Sequence, residues 1–284
     1  MAKTPKAVAL GGALRKARLD KGLKLREFAV QINRDPAMLS RWETGDRSPK
    51  PEQVAQILTV LGVSGETYDD IMTLVYGTHE SQWVATTLPE QRQQLAAYLE
   101  YESNATHITE VAPLLVPGLL QTNDYVRAIM SAGGVPPVDV QTRIAVRLGR
   151  REIITGSNPA HLVALIGQAA LYQNIGGKTT TLAQLRHLLK VAQYPNVDLR
   201  IIPFGIGWHP ALEGSFYLLN PTPVVFLETR RSMLLLHKDD DVNAYKHAVE
   251  MTRRVAMSPD ESTRFIAELI QRMENRNDEP DHMA

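Results

Sequence analysis

The chain has 284 residues, of which 44% are hydrophobic and 22% charged. This composition excludes a disordered chain and, at roughly 100 to 200 residues per domain, predicts two domains. The absence of cysteine excludes a disulfide framework, a thiolate zinc site and a cysteine nucleophile. The 31 Lys and Arg cancel the 31 Asp and Glu, and a neutral total argues at face value against a nucleic-acid binder.

The charge is not evenly spread. Residues 1–50 hold twelve basic side chains against five acidic ones, a local +7, which leaves −7 for the remainder. A basic segment of this kind can face phosphates however neutral the whole chain is, although a solvated helix face would look the same. The apolar run at 7–10 is too short for a signal peptide, and no stretch reaches 18 apolar residues, so the expectation is a cytoplasmic protein without a membrane span.

In chain order, Leu10, Leu14, Ala17 and Arg18 share one stripe of a first helix that Gly22 ends. A second helix runs from about Leu25 to Ile32, burying Phe28, Ala29 and Ile32, and Asn33 breaks it. Asp35 is a good N-cap and Pro36 suits the first helical position, so a third helix starts there and ends near Gly45. On it Leu39 and Trp42 share the inner face, while Ala37, Met38, Arg41 and Thr44 point elsewhere. A fourth helix opens at Pro51 with Val54, Ile57, Leu58 and Leu61 inward, and a fifth spans Thr67 to Tyr76.

Two short helices joined by a tight turn make a helix-turn-helix. The segment from Gly22 to Ile32, then Ser40-Arg41-Trp42-Glu43-Thr44-Gly45, Arg47-Ser48-Pro49 and Leu61-Gly62-Val63 resembles the lambda-repressor-like Cro/C1 type, the Xre family, over roughly residues 10–76. The resemblance implies an all-α, five-helix DNA-binding domain whose third helix enters the major groove. It places Pro36, Ala37, Met38 and Arg41 toward the bases. Arg41 is the candidate for guanine, since a guanidinium can donate two hydrogen bonds to O6 and N7; the alternative is a phosphate contact. Lys24, Arg26, Arg34, Ser40, Arg47 and Lys50 are expected on phosphates. The family pairs the acid at Glu43 with a first-helix arginine, here Arg18, as a structural ion pair, and Trp42 is expected in the core. Pro36-Ala37 departs from the polar start that the family often has, so direct base contacts are few and DNA shape contributes.

Residues 77–89 read as a linker. Beyond it the pattern mixes helices at Pro89 to Glu102, Thr122 to Ala132, Val138 to Thr155, Lys178 to Gln193, Asp241 to Met257 and Pro259 to Arg276 with strands at His161 to Gly167, Asp198 to Phe204, Gly214 to Leu219 and Val224 to Glu228. The last two strands look like a hairpin around Asn220-Pro-Thr-Pro223. An α+β domain with a four- or five-stranded sheet over 90–276 is the expectation, followed by a tail at 277–284.

Gly176-Gly177-Lys178-Thr179 lacks the first glycine of a phosphate loop, with Tyr172 in its place. The histidines are scattered, so no metal site and no cofactor are expected. His209, Glu213 and Glu228 are the residues for any acid/base chemistry, and with no nucleophile elbow an enzyme is the least supported class.

Pro117-Gly118-Leu-Leu-Gln121-Thr122-x-x-Tyr125, Arg147-x-x-Arg150, Gly176-Gly177, Gln184-Leu185, Pro195-x-Val197, Ile202-Pro203 and Gly214-x-Phe216 resemble the domain that follows the Xre module in actinobacterial regulators, DUF5753, which carries an antitoxin-like label. That resemblance implies a regulatory or interaction domain, often encoded beside a small acidic DUF397-type protein. The candidates for its surface are Pro117, Gln121, Tyr125, Arg147, Arg150, His209, Phe216 and Glu228, each with packing as the alternative. The family often has an acid where this chain has Gln168. Two functions compete: a DNA-binding regulator, homodimeric on an inverted repeat and controlled by a partner protein or a small-molecule effector, and an antitoxin-like protein that holds a DUF397-type partner and binds DNA for autoregulation.

Overall fold

The computed structural model describes residues 4–76, 82–85, 87–230 and 232–275. The chain forms two compact units, one made of Met1–Asn104 with Thr222–Asn243 and the other of Ala105–Pro221 with Ala244–Ala284.

The first unit begins with α1 (Pro5–Asp20), α2 (Leu25–Gln31), α3 (Pro36–Glu43), α4 (Pro51–Val60) and α5 (Glu66–Val75). α1 starts about a turn before the expected apolar stripe, because the Thr4 hydroxyl accepts from the Ala7 amide at 3.2 Å and Pro5 occupies the first position. Leu10, Leu14, Phe28, Ala29, Ile32, Leu39, Trp42, Val54, Ile57, Leu58 and Leu61 are all buried, so the helical periodicity located this core.

Next come β1 (Gln82–Ala85) and α6 (Leu88–Ser103), capped by Thr87 and Glu90. β1 lies inside the segment read as a linker; the Gly77-to-Ser81 part of that segment is outside the described residues. β1 pairs antiparallel with a strand far along the chain, Met233–Leu236, which pairs antiparallel with Val224–Glu228. α6 lies over this ribbon: its Tyr98 stacks on Phe226 with ring centroids 4.3 Å apart, and its fully buried Gln94 donates to the Trp83 carbonyl.

The second unit contains β2 (His107–Ala112), α7 (Asn123–Ala132), α8 (Pro137–Gly149), α9 (Glu152–Thr155), β3 (His161–Gly167), α10 (Gln168–Tyr172), α11 (Gly177–Val191), β4 (Val197–Ile202) and β5 (Phe216–Asn220). Val224–Glu228 and Met233–Leu236 are then β6 and β7 of the first unit. The chain ends in α12 (Asp239–Val255), which enters the second unit at Ala244, and α13 (Pro259–Asn275). β2, β3 and β4 are parallel and β5 runs antiparallel to β2, giving the order β5-β2-β3-β4. β3 is the most buried of the parallel strands, as expected for a sheet covered by crossover helices.

The class is as expected, helical and then mixed α+β, but the strands number seven among the described residues rather than four or five. β1, β2 and β7 are the additions. β2 escapes a hydropathy reading because Glu110, 3% exposed, interrupts its apolar positions. The expected helix from Val138 to Thr155 is two, divided after Gly149.

Candidate nucleic-acid interface

The candidate surface is built on α2, the turn and α3. Asn33 takes a left-handed conformation at φ 50°, and the Arg34 amide bonds back to the Ala29 carbonyl at 2.9 Å, closing α2. The Asp35 carboxylate accepts from the Met38 amide at 3.0 Å and starts α3. Leu39, Trp42 and Glu43 are buried. Ala37, Arg41 and Thr44 are exposed on the other side, with Pro36, Met38 and Ser40 half-buried. Among the described residues the Arg41 guanidinium has no ion pair.

The inner side of α3 is clamped to α1. Arg18 and Glu43, 5% and 4% exposed, meet through Nε to Oε1 at 2.6 Å and Nη2 to Oε2 at 2.7 Å. The remaining Arg18 nitrogen, Nη1, donates to the Leu23 carbonyl at 2.6 Å, tying in the turn before α2. Donating to the Glu43 carboxylate raises the Arg18 pKa against the opposing effect of burial. Two glycines permit the close approach. A Cβ on Gly11 would lie 2.5 Å from the Trp42 carbonyl oxygen, and one on Gly45, at φ 74°, would lie 2.9 Å from the Val8 backbone. The sequence names Gly45 only as the end of the third helix and passes over Gly11, although a glycine inside an otherwise helical apolar run is a signal of close backbone approach.

The cations assigned to phosphates flank α3. Lys24, Arg26, Arg47 and Lys50 are exposed and Arg34 is half-buried. The Arg47 amide bonds to the Arg41 carbonyl at 3.1 Å, so the chain folds back beneath the end of α3 and brings Arg47 beside the helix that bears Arg41.

In the second unit Pro117, Gln121 and Tyr125 are buried and Arg147 is half-buried. Gln121 donates to the Val116 carbonyl at 2.7 Å and accepts from Arg147 Nη1 at 3.2 Å; the Val116 amide donates to the Tyr125 hydroxyl at 3.4 Å. Gln184 of α11 completes this turn, accepting from the Thr122 amide at 2.6 Å and donating to the Leu120 carbonyl at 2.8 Å. These motif residues therefore organise a packed turn, with only Arg147 reaching toward the surface. Phe216 meets Tyr245 edge-on at 4.8 Å. His209 is 7% exposed, and its Nδ1 is buried without a hydrogen-bond partner among the described residues; burial lowers its pKa. Arg150 is half-buried. Glu228 is exposed at the end of β6, in the first unit. Gln168 accepts from the Phe204 amide at 2.9 Å, holding the loops after β3 and β4 together. Gly176, at φ 72°, packs on Ala128, where a Cβ would come within 2.8 Å of the alanine methyl; the Gly-Gly step is a packing and turn feature.

No helix among the described residues is long and apolar enough to cross a membrane. Residues 9–70 match a helix-turn-helix domain, and residues 95–268 match a domain of unknown function, DUF5753. No curated protein matches the chain, and no solved structure does. A helix-turn-helix domain supports a DNA-binding regulator. With the second match covering more than half of its length, the chain belongs to the DUF5753 family, in the architecture that sets this domain after a helix-turn-helix.

Proposed function

We propose that the protein is a sequence-specific transcriptional regulator of the Xre type, acting in the cytoplasm as a homodimer on an inverted repeat. Residues 1–76 are its DNA-binding module, and residues 90–276 its regulatory domain, answering to a small partner protein or a ligand. The observation that carries this reading is the asymmetry of α3. One side is fixed by a buried ion pair and two close glycine contacts, and the other presents Arg41 exposed and, among the described residues, without an ionic partner. A helix held this firmly, with an open face and cations at both ends, suits the major groove.

In this reading Pro36, Ala37 and Met38 offer apolar contact to base edges, and Arg41 supplies the directed hydrogen bonds. Lys24, Arg26, Arg34, Ser40, Arg47 and Lys50 fix register on the backbone. A mobility shift on the promoter of the protein's own gene tests it. Saturable binding that survives excess unrelated DNA and weakens steeply with salt is expected; binding indifferent to sequence overturns it.

A further inference from the structure

One side of α1 closes on α3 through Gly11 and Arg18. Gly12, the next residue, faces open space: a Cβ there would meet nothing within 4 Å. It lies on the wall of a cavity of about 730 Å³ framed by α1, the turn after α4, α5 and α6. All of these elements belong to the first unit.

The side chains that α1 turns to the cavity are too small to fill it, with Ala9, Gly12, Ala13 and Ala17 following one another at helical spacing. Buried Ile71 and Leu74 form the floor, and half-buried Val63 and Leu99 stand nearer the rim. Two polar ties hold α6 in place. Gln93 Nε2 donates to the Asp70 carbonyl at 2.8 Å, joining α6 to α5, and Arg15 Nη1 lies 3.6 Å from Glu100 Oε1, joining α1 to α6.

A mainly apolar wall with a few polar groups is the mark of a small-molecule site, and such sites measure roughly 300–1,000 Å³. The charged lining identifies the class of molecule. Lys16, Asp20 and Lys21 are exposed, so water screens them, and Lys16 and Asp20 stand one turn apart on α1 with opposite charges. Glu100 is engaged by Arg15 and by the Asn104 side-chain amide at 3.3 Å. Asp70 differs from all of these. It is half-buried, its backbone carbonyl is taken by Gln93, and its carboxylate has no ion pair or hydrogen bond among the described residues. A carboxylate partly withdrawn from water beside an apolar wall gains most from a cation that brings its own apolar body.

We propose that this cavity binds a small apolar amine, with the apolar body against Ala13, Ala17, Val63 and Leu99 and the ammonium on the Asp70 carboxylate. The bound molecule would touch α1 and α5 of the helix-turn-helix module and α6 beyond it, on the side of α1 away from the Gly11 contact. The site goes beyond the DNA-binding reading and stands without it.

The test is a fluorescence titration of the full chain, without DNA, using two probes with the same apolar fluorophore. Dansylcadaverine carries a primary amine and dansylglycine a carboxylate, and dansyl emission rises and moves to the blue in an apolar site. The expected result is saturable binding of dansylcadaverine, at least about tenfold tighter than dansylglycine, as a charge-assisted hydrogen bond gives. Asp70→Asn is expected to weaken the amine roughly tenfold and so abolish the preference. Ala13→Phe, which fills the cavity, weakens both probes, and Asp139→Asn, which removes an exposed carboxylate on α8, changes neither. Circular dichroism checks the fold of each variant, and if Ala13→Phe does not fold, Asp70→Asn decides the matter alone. Equal affinity for the two probes, tighter binding of dansylglycine, or a preference that persists in Asp70→Asn overturns the assignment of the amine to Asp70. Absence of saturable binding by either probe overturns the cavity as a binding site.

Discussion

Arg18 on α1 and Glu43 at the end of α3 form a two-pronged ion pair across 25 residues of sequence, with both side chains almost wholly out of water. A guanidinium edge and a carboxylate match each other in plane and spacing, so the pair fixes the orientation of α3 as well as its distance from α1. The Arg18 bond to the Leu23 carbonyl extends the same fixing to the turn before α2. The pair thus links the helical core to the surface that bears Arg41.

Removing one partner leaves the other buried and uncompensated, which costs about 3–5 kcal/mol. Glu43→Ala is therefore expected to destabilise the chain by that amount in urea unfolding and to abolish DNA binding. Arg18→Met with Glu43→Leu, which removes both charges, restores most of the stability. A loss below about 1 kcal/mol in Glu43→Ala would show that the pair is dispensable.

Adjacent glycines on α1 give opposite outcomes. Gly11→Ala drives a methyl into the Trp42 and Glu43 carbonyls, whereas a Cβ at Gly12 meets nothing within 4 Å. Gly12→Ala then gains from helix propensity and raises stability by up to about 1 kcal/mol. Gly11→Ala lowers the melting temperature and weakens DNA binding. Equal melting temperatures for the two variants would contradict the close approach of α1 and α3.

The flanking cations predict a salt signature. Lys24→Ala, Arg26→Ala and Lys50→Ala each remove one exposed charge and leave the buried pair untouched. Each is expected to weaken binding uniformly across sequences and to reduce the slope of log affinity against log salt by about 1. A variant that changes sequence preference and keeps the slope would place that residue on a base.

The second unit carries a pH dependence. Burial, with Arg151 and Lys190 nearby, holds the His187 pKa below the usual imidazole value. The unfolded chain takes up that proton first. The stability that neutral His187 contributes is therefore present above about pH 6.5 and is lost as pH falls through its depressed folded value. Wild type is expected to lose more thermal stability between pH 7.5 and 5.5 than His187→Gln. Identical losses would assign the acid sensitivity to other groups; His209, also lowered by burial, is the next to test.

The helical half of the fold was legible because its signals are local. Asp35-Pro36 caps α3, Ser258 and Glu261 cap α13, and the apolar spacing from Leu10 to Leu61 follows a helical period. β3 and β6 were legible as short apolar runs. What failed depends on distant partners. β1 has four residues and is a strand only because Met233–Leu236 returns to pair with it, and nothing near residue 82 announces that. Gln121 and Tyr125 drew attention as surface candidates, yet a buried amide that both donates and accepts has the signature of a structural turn. Phe204 reads as the end of a strand, yet β4 stops at Ile202 and leaves it exposed, as is Trp208, because exposure cannot be read from an apolar letter alone.

The central claim is that α3 reads DNA through Arg41, and the most direct measurement is the ratio of affinities for the operator and for unrelated DNA at one salt concentration. It is compared between wild type and Arg41→Ala, with circular dichroism confirming that both are folded. The account predicts that the ratio falls roughly five- to 150-fold, the equivalent of about 1–3 kcal/mol, because operator binding weakens while unrelated DNA is bound almost as before. An unchanged ratio with both affinities reduced alike would contradict it and move Arg41 to a phosphate.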